Sequence, residues 1–324
     1  MKTIALLATG GTIASAPTQS GLAPALSGAQ IARLSGVESL CHVVSQDVFS
    51  LDSSNIQPEE WRVLARAVHE ALQTCDGVVI THGTDTMAYS AAAISYMLCG
   101  HEKPVIFTGA QLPISHPLSD AIPNLHCAFA AAITGVPGTY VAFHQKIISG
   151  VRAVKTRTTS FDAFDSVNAP LCGHVDGDGV HFTNPQVALE EYRFRDEIDP
   201  GVFLLKLMPG TLPDVFDWIV SAGYRGVVIE AFGLGGLHYI RRNLVDKLHM
   251  LAENGIYALV VTQCLYEKAD FTVYEVGSRI LSNHVFSGRD MTTEAAVTKL
   301  MWALGQGEAE KVLGMNLCGE FSGS

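Results

Sequence analysis

No stretch of this sequence approaches the roughly 18 consecutive apolar residues of a membrane-crossing helix, and no C-x-x-C pair occurs among its cysteines. The first absence removes a helical membrane span from expectation, and the second removes zinc ribbons and thioredoxin-like redox motifs. Positive charge is also scarce, with 21 Lys and Arg against 32 Asp and Glu and a formal charge of −11. That balance argues against nucleic acid or an anionic membrane as a partner. H-E-x-x-H, H-x-H, G-x-S-x-G, G-K-[ST] and G-x-G-x-x-G are all missing. With them go the signatures of zincins, serine-hydrolase elbows, phosphate loops and dinucleotide folds.

What is present is apolar. Hydrophobic residues make up 48% of the 324 positions and charged ones 16%, enough for a large core and too little charge for disorder. The seven cysteines are odd in number and scattered, which fits reduced thiols in the cytosol. The amino terminus resembles a signal peptide, but its apolar run "IALLA" is only five residues before Gly10 and Gly11. A signal sequence needs roughly 7–15, so a soluble cytoplasmic protein is expected. "HVDGDGVH" (174–181) has a faint calcium-loop look but lacks the ligand spacing and the closing glutamate. It reads as a hairpin with an Asp-Gly turn, and no metal is expected.

Short unalternated apolar runs recur, among them "IALLATGG", "GVVITHG", "PVIFTGAQ", "YVAFHQ", "VFLLKLMPG", "GVVIEAFG" and "YALVVTQC". Such runs fit strands covered on both faces. Helical patterns lie between them. In "QPEEWRVLARAVHEAL", Pro58 opens the first turn and Trp61, Leu64, Val68 and Leu72 share one face. The alternation predicts an α/β protein of two doubly wound domains, a larger amino-terminal one with a mainly parallel sheet and a smaller carboxy-terminal parallel-sheet domain. The charged, proline-flanked stretch near 184–200 suggests the boundaries: residues 1–184 carrying the reactive motifs, 185–200 as linker and 201–324 as the second domain.

Ligands of open parallel sheets bind at the carboxyl ends of the strands. "TGGT" (9–12), "SLDSSN" (50–55), "THGTDTM" (81–87), "FTGAQLP" (107–113) and "AVKTRTT" (153–159) are all expected at that edge. Singly, each has a plain explanation. Thr, Ser and Asp after a strand are favoured helix caps, and a glycine pair makes a tight turn. An isolated lysine is most often a solvated one. Together they offer acyl chemistry. A hydroxyl is a weak nucleophile at neutral pH and needs a base or a cation beside it. Lys155 and Asp85 supply these to a threonine, Thr12 or Thr84. Gly11 admits a substrate carbonyl, and free N–H groups in such turns stabilise an oxyanion.

"ATGGTIAS", "DSSNIQPEEW", "THGTDTM", "PVIFTGAQLP", "SDAIPNL", "VKTRTT" and "VTQC…DMTTEAAVTKLMWAL" together resemble the bacterial-type L-asparaginases, particularly the cytoplasmic type I branch. The resemblance runs from about residue 4 to about residue 305. It implies a homodimeric or homotetrameric amidohydrolase, without a cofactor, that turns L-asparagine and water into aspartate and ammonia. L-glutamine is the expected side substrate. It also implies Thr12 as the nucleophile, with Thr84, Asp85 and Lys155 as a second catalytic cluster. Asp52, Ser53 and Ser54 then bind the substrate carboxylate, Ser53 foremost, while Asp85 and Thr84 also bind substrate. Cys264 falls at a candidate regulatory position, although a buried cysteine ending a strand needs no special role.

Three departures stand out. The loop after "GGTIA" has no aromatic residue, and Leu22 stands about where the family carries a tyrosine. "SDAIPNL" has Ala121 in place of a glycine, and "FGLGG" (232–236) lacks the usual asparagine. The missing tyrosine opens an alternative, an amino-acid-binding sensor that kept the fold with little or no catalysis. A third reading is the amidotransferase subunit that feeds ammonia to misacylated transfer RNA. It would bring an additional amino-terminal domain and a basic face, whereas this chain starts at its first strand and is acidic.

Overall fold

The computed structural model describes residues 1–18, 21–187, 189–271 and 284–322, the side chains of 16–24 excepted. The chain divides into two compact units, Met1–Asp196 and Glu197–Ser324. The division thus falls inside the stretch 185–200, and the residues before it pack on the first unit: His69 stacks on Phe194 and meets the Tyr192 hydroxyl at 2.6 Å.

The first unit is built on an eight-stranded sheet. Its parallel half is β1 (Thr3–Gly10), β4 (His42–Leu51), β5 (Gly77–Thr81), β6 (Pro104–Thr108) and β7 (Gly138–Phe143), ordered β4-β1-β5-β6-β7. Antiparallel strands β8 (Lys146–Ser149), β11 (Gly173–Asp176) and β12 (Gly179–Phe182) extend it beyond β7. Two small hairpins stand apart: β2 (Ser15–Thr18) with β3 (Gly21–Pro24), and β9 (Ala153–Lys155) with β10 (Phe164–Ser166). Strands β5 and β6 are buried throughout, as is β1 from Ile4 onward. Their unalternated apolar runs follow from that two-sided burial.

Helices α1 (Gly28–Ser35), α2 (Pro58–Thr74), α3 (Met87–Met97) and α4 (Ala121–Thr134) connect the parallel strands. The α2 helix starts where its sequence requires: Pro58 occupies the first turn, and the Glu60 side chain accepts the Gln57 N–H at 2.8 Å. Trp61, Leu64, Val68 and Leu72 all turn inward, and the Trp61 indole donates to Ser90 on α3 at 2.9 Å. Each such side chain contributes about 1.5–3 kcal/mol by leaving water.

The second unit carries a four-stranded parallel sheet, β13 (Val202–Lys206), β14 (Gly226–Ala231), β15 (Tyr257–Thr262) and β16 (Val285–Ser287), in sequence order. Among its described residues it also has helices α5 (Asp214–Ser221) and α6 (Val245–Glu253), one over Thr293–Gly305 and a short one over Ala309–Val312. Phe216, Ile219, Leu248, Ile229 and Val260 form its core. Within it Lys299 and Glu320, both fully buried, form an ion pair at 2.6 Å. The Glu320 carboxylate also accepts the Leu317 and Cys318 N–H groups, which anchors the tail.

Two expectations need correction. Lys155 reaches the carboxyl edge of the main sheet, where its Nζ meets the turn after β5, but it ends β9 of a separate two-stranded sheet and not a strand of the main one. The run "AVK" is too short to cross a domain and is paired instead by the chain folding back at 156–163. Cys264 is exposed, not buried, because it lies past the end of β15.

Candidate active site

Two glycine backbones decide how the site is assembled. Gly11, at φ 77° and ψ −178°, lies so close to the second turn that a Cβ there would stand 2.4 Å from the Gly83 nitrogen and 2.5 Å from its Cα. The "TGGT" and "THGTDT" turns therefore touch main chain to main chain. This places Thr12 and Thr84, each following one of these glycines, on adjoining turns. Parallel pairing of β1 with β5 brings the turns level, with Ala8 opposite Thr81, and the Thr9 hydroxyl donates to the Thr81 carbonyl at 2.8 Å.

The third turn, after β4, closes on the same point. Gly11 N–H donates to the Leu51 carbonyl at 2.9 Å. Ser53, only 3% exposed, packs against Gly83, where a Cβ would meet its Oγ at 2.6 Å, and its carbonyl accepts the Thr86 hydroxyl at 2.7 Å. Asp52 and Ser54 engage each other: the Ser54 hydroxyl and N–H donate to Asp52 Oδ1 at 2.6 and 2.9 Å. Those two bonds hold the Asp52 carboxyl below its ordinary range.

Lys155 supplies the positive charge. Its Nζ donates to the Thr84 hydroxyl at 2.8 Å and to Asp85 Oδ1 at 2.6 Å. Lys155 is mostly buried, whereas the Asp85 side chain is 65% exposed, leaving a free face for a cationic group of a ligand. The hairpin that carries Lys155 is held by ion pairs. Lys146 reaches Asp162 at 2.6 Å and Asp165 at 2.9 Å, Arg157 reaches Asp165 at 3.0 Å, and the Thr156 hydroxyl donates to Asp165 at 2.7 Å. Burial works against the charge on Asp165, but Thr156, Lys146 and Arg157 prevail and keep its carboxyl below the usual range.

Nothing in the sequence singles out Gln111, yet it ties three elements together. Its Oε1 accepts from the Thr84 hydroxyl at 3.4 Å, and its Nε2 donates to the carbonyls of Thr158 and Ser160 at 3.1 and 2.9 Å. Asp120, 8% exposed, accepts the Gln111 and Leu112 N–H groups and the Asn124 amide, all within 3.2 Å. Both lie in motifs quoted above, "TGAQLP" and "SDAIPNL", but their spacing does not mark these residues within them. Ala121 is fully buried at the start of α4, so its replacement of glycine is a packing feature.

His82 lies beneath the second turn, fully buried, with its Nδ1 2.7 Å from the Gly83 carbonyl. Burial pushes its pKa down to about 4, against the opposing pull of that hydrogen bond, so the ring is a neutral prop at ordinary pH. Leu22 pairs with Pro17 across the β2–β3 hairpin; its side chain lies outside the described part of the structure. Phe232 and Gly236 close a bridge in the second unit, and Cys264 belongs to that unit too.

The family profile "Asparaginase, N-terminal" matches residues 3–188, and "Glutaminase/Asparaginase C-terminal domain" matches 201–313. This chain belongs to the asparaginase family. It is 43% identical to an L-asparaginase of Thermococcus kodakarensis, over 98% of this chain and 99% of that one. A solved structure of the thermostable L-asparaginase from that organism superposes with a TM-score of 0.93 at 42% identity, covering 99% and 100% of the two chains. L-asparaginase I from Vibrio cholerae superposes at 0.86 with 27% identity over 99% of both chains. A glutamyl-tRNA(Gln) amidotransferase subunit of Archaeoglobus fulgidus is 35% identical over 98% of this asparaginase-family chain and 79% of its own length.

Proposed function

We propose that the protein hydrolyses L-asparagine to L-aspartate and ammonia through a threonine nucleophile, with L-glutamine as side substrate. The observation that carries this is the Thr84–Lys155–Asp85 cluster, bonded at 2.8 and 2.6 Å and set against the "TGGT" turn by the Gly11–Gly83 contact. The Thr12 oxygen attacks the side-chain amide carbon, its proton passes to the departing nitrogen, and ammonia leaves an acyl-threonine. Water positioned at Thr84 then cleaves that ester and restores the hydroxyl. Lys155, as an ammonium, lowers the proton affinity of the Thr84 oxygen. Asp85 offers its exposed carboxylate to the substrate ammonium, and Ser53 meets the α-carboxylate. Main-chain N–H groups near Gly11 stabilise the tetrahedral oxyanion.

Sequence identity supports asparagine over transfer-RNA-linked chemistry, at 43% to the L-asparaginase against 35% to the amidotransferase subunit. Placement in the cytoplasmic type I branch draws support from the likeness to the Vibrio cholerae L-asparaginase I. Free thiols at Cys41, Cys75, Cys127, Cys172 and Cys264 fit a reducing compartment. No described helix is long and apolar enough to cross a membrane. Assembly as a homodimer or homotetramer is supported by the exposed Met208, Leu212, Tyr239 and Ile240 of the second unit. The extra methylene of glutamine is worth about 1–3 kcal/mol of discrimination, so glutamine turnover is expected to be slower but measurable.

The test is ammonia release from L-asparagine and L-glutamine by the native chain and by Thr12→Ala and Thr84→Ala. Release from asparagine that both variants abolish is expected. Asparagine binding with no release from either amide would overturn the reading in favour of a sensor.

A further inference from the structure

The β11–β12 hairpin, at the edge of the first unit's sheet, does more than turn. Its register sets His174 directly opposite His181, while Asp176 lies two residues beyond His174 and so on the same face. The two imidazoles stack with centroids 5.1 Å apart and planes 25° from parallel. Both present Nε2 to one carboxylate: His174 Nε2 stands 3.4 Å from Asp176 Oδ2, and His181 Nε2 stands 3.1 Å from Oδ1. One donor atom from each of the three residues lies within 4.8 Å of the others. The hairpin alone requires only part of this. Asp176 Oδ1 accepts the Asp178 N–H at 2.9 Å, the bond a tight Asp-Gly turn uses. That bond gives no reason for two histidines to converge on the same carboxylate from two strands.

We propose that the tip of this hairpin binds one divalent first-row transition ion through His174 Nε2, His181 Nε2 and a carboxylate oxygen of Asp176. Bonds of about 2.0–2.2 Å to nitrogen and oxygen place donors roughly 3 Å apart around such an ion. The His–Asp separations already match this, so small side-chain rotations complete the set. Two imidazoles and one carboxylate suit zinc, copper, nickel or iron. They do not suit calcium, which takes about six to eight oxygens; this is where the calcium-like look of "HVDGDGVH" misleads. All three side chains are between 43% and 48% exposed, so further coordination positions face water and the ion exchanges freely.

Binding here also has a structural consequence. β11 pairs with β8 at Gly173 and His174, the Val175 N–H donates to the Gln145 carbonyl at 2.9 Å, and Val175 and Val180 pack against the core, so it is the tip from Asp176 to Gly179 that relies on the hairpin's own bonds. An ion bridging His174, Asp176 and His181 staples the two strands across that outer part.

The experiment uses the whole chain, stripped with a chelator and then titrated with Ni²⁺ in a calorimeter. One saturable site per chain at micromolar concentration is expected, displaced by Zn²⁺. His174→Ala and His181→Ala should each weaken it by about tenfold or more. Loss of the exposed His249, in His249→Ala, should leave it unchanged. A second measurement needs no variant: acylation of histidines by diethyl pyrocarbonate, mapped by mass spectrometry with and without Ni²⁺. Protection confined to His174 and His181 supports the site. Undiminished acylation there, unchanged affinity in both variants, or no saturation below millimolar Ni²⁺ each overturns it.

Discussion

A single methyl group added at Gly11 tests the assembly of the site, and Gly36 provides its control. Both glycines have positive φ, 77° and 72°. Gly36 has ψ 13°, the left-handed helical region, and a Cβ there meets nothing within 4 Å. Gly36→Ala should therefore cost about 1–2 kcal/mol from backbone strain alone and leave activity intact. Gly11 differs twice over. Its ψ of −178° lies in a region almost closed to side chains, worth about 1–3 kcal/mol. Its Cβ would also stand 2.4 Å from the Gly83 nitrogen, and relieving such a contact costs roughly another 1–3 kcal/mol. The sum is about 2–6 kcal/mol, enough to weaken a domain of ordinary stability severely.

Stability is one half of the test; geometry is the other. Relief of the contact must move one turn away from the other, because the atoms it meets are backbone. A shift near 1 Å between reacting groups costs on the order of a hundredfold in rate. The assays are urea denaturation and ammonia release, run on both variants and the native chain at a temperature where all are folded. Gly11→Ala should lose both stability and kcat/KM, and Gly36→Ala stability alone. If Gly11→Ala kept native kcat/KM with the same denaturation midpoint as Gly36→Ala, the claim that the two threonine turns form one site through this contact would fail.

Lys155→Met should lower kcat by roughly 10²–10⁴-fold with little change in melting temperature, since the carboxylate it leaves is exposed; a melting temperature that fell in step with activity would make Lys155 structural instead. Acid should destabilise the fold in a defined window. Burial pushes His82 and His101 down to about 4 from 6.5, so between those values the unfolded chain binds the extra protons and stability falls as pH drops from 6.5 towards 4. The ceiling is about 3 kcal/mol per histidine, and denaturation midpoints that stayed flat across that range would refute the assignment. Lys299→Met leaves Glu320 buried without its counter-ion and should cost about 3–5 kcal/mol, with Lys299→Met/Glu320→Gln recovering part of it, because the amide is neutral and its oxygen still accepts from the Leu317 or Cys318 N–H; equal denaturation midpoints for single variant and native chain would count against the pair.

The parts of the fold legible in the sequence are those where burial on both sides forces composition. Strands β1, β5, β6, β7, β14 and β15 all coincide with the apolar runs, because a central strand has no solvent face to alternate towards; β13 coincides with one as well, although it is an edge strand with Leu204 and Lys206 exposed. Strand β4 is illegible for the opposite reason. "HVVSQDVFSL" lies at the sheet edge, exposed or half-buried along its whole length, so its composition carries no core signal. Within the antiparallel extension the β11–β12 hairpin is legible from the Asp-Gly turn of "HVDGDGVH", whereas the pairing of β8 is hidden, because pairing direction depends on how the chain returns, which a short strand does not encode.

The site divides along the same physical line. Turns that directly follow buried strands announce themselves, since a strand that ends in Thr, Gly or Ser marks where the sheet stops and its edge begins. Their mutual contact does not, because it depends on the register of β1 against both β4 and β5. Lys155 shows the limit most clearly. Its partners are 70 and 71 residues away, and the hairpin presenting it is held by Lys146, Arg157, Asp162 and Asp165, charges that look like an ordinary solvated surface when read in line. Gln111 is hidden on the same account: its amide matters only because Thr84 and the 158–160 loop arrive from opposite sides. Local sequence therefore identifies the groups that perform acyl chemistry. The groups that hold them in place act through long-range contacts, and those emerge only once the sheet has set its register.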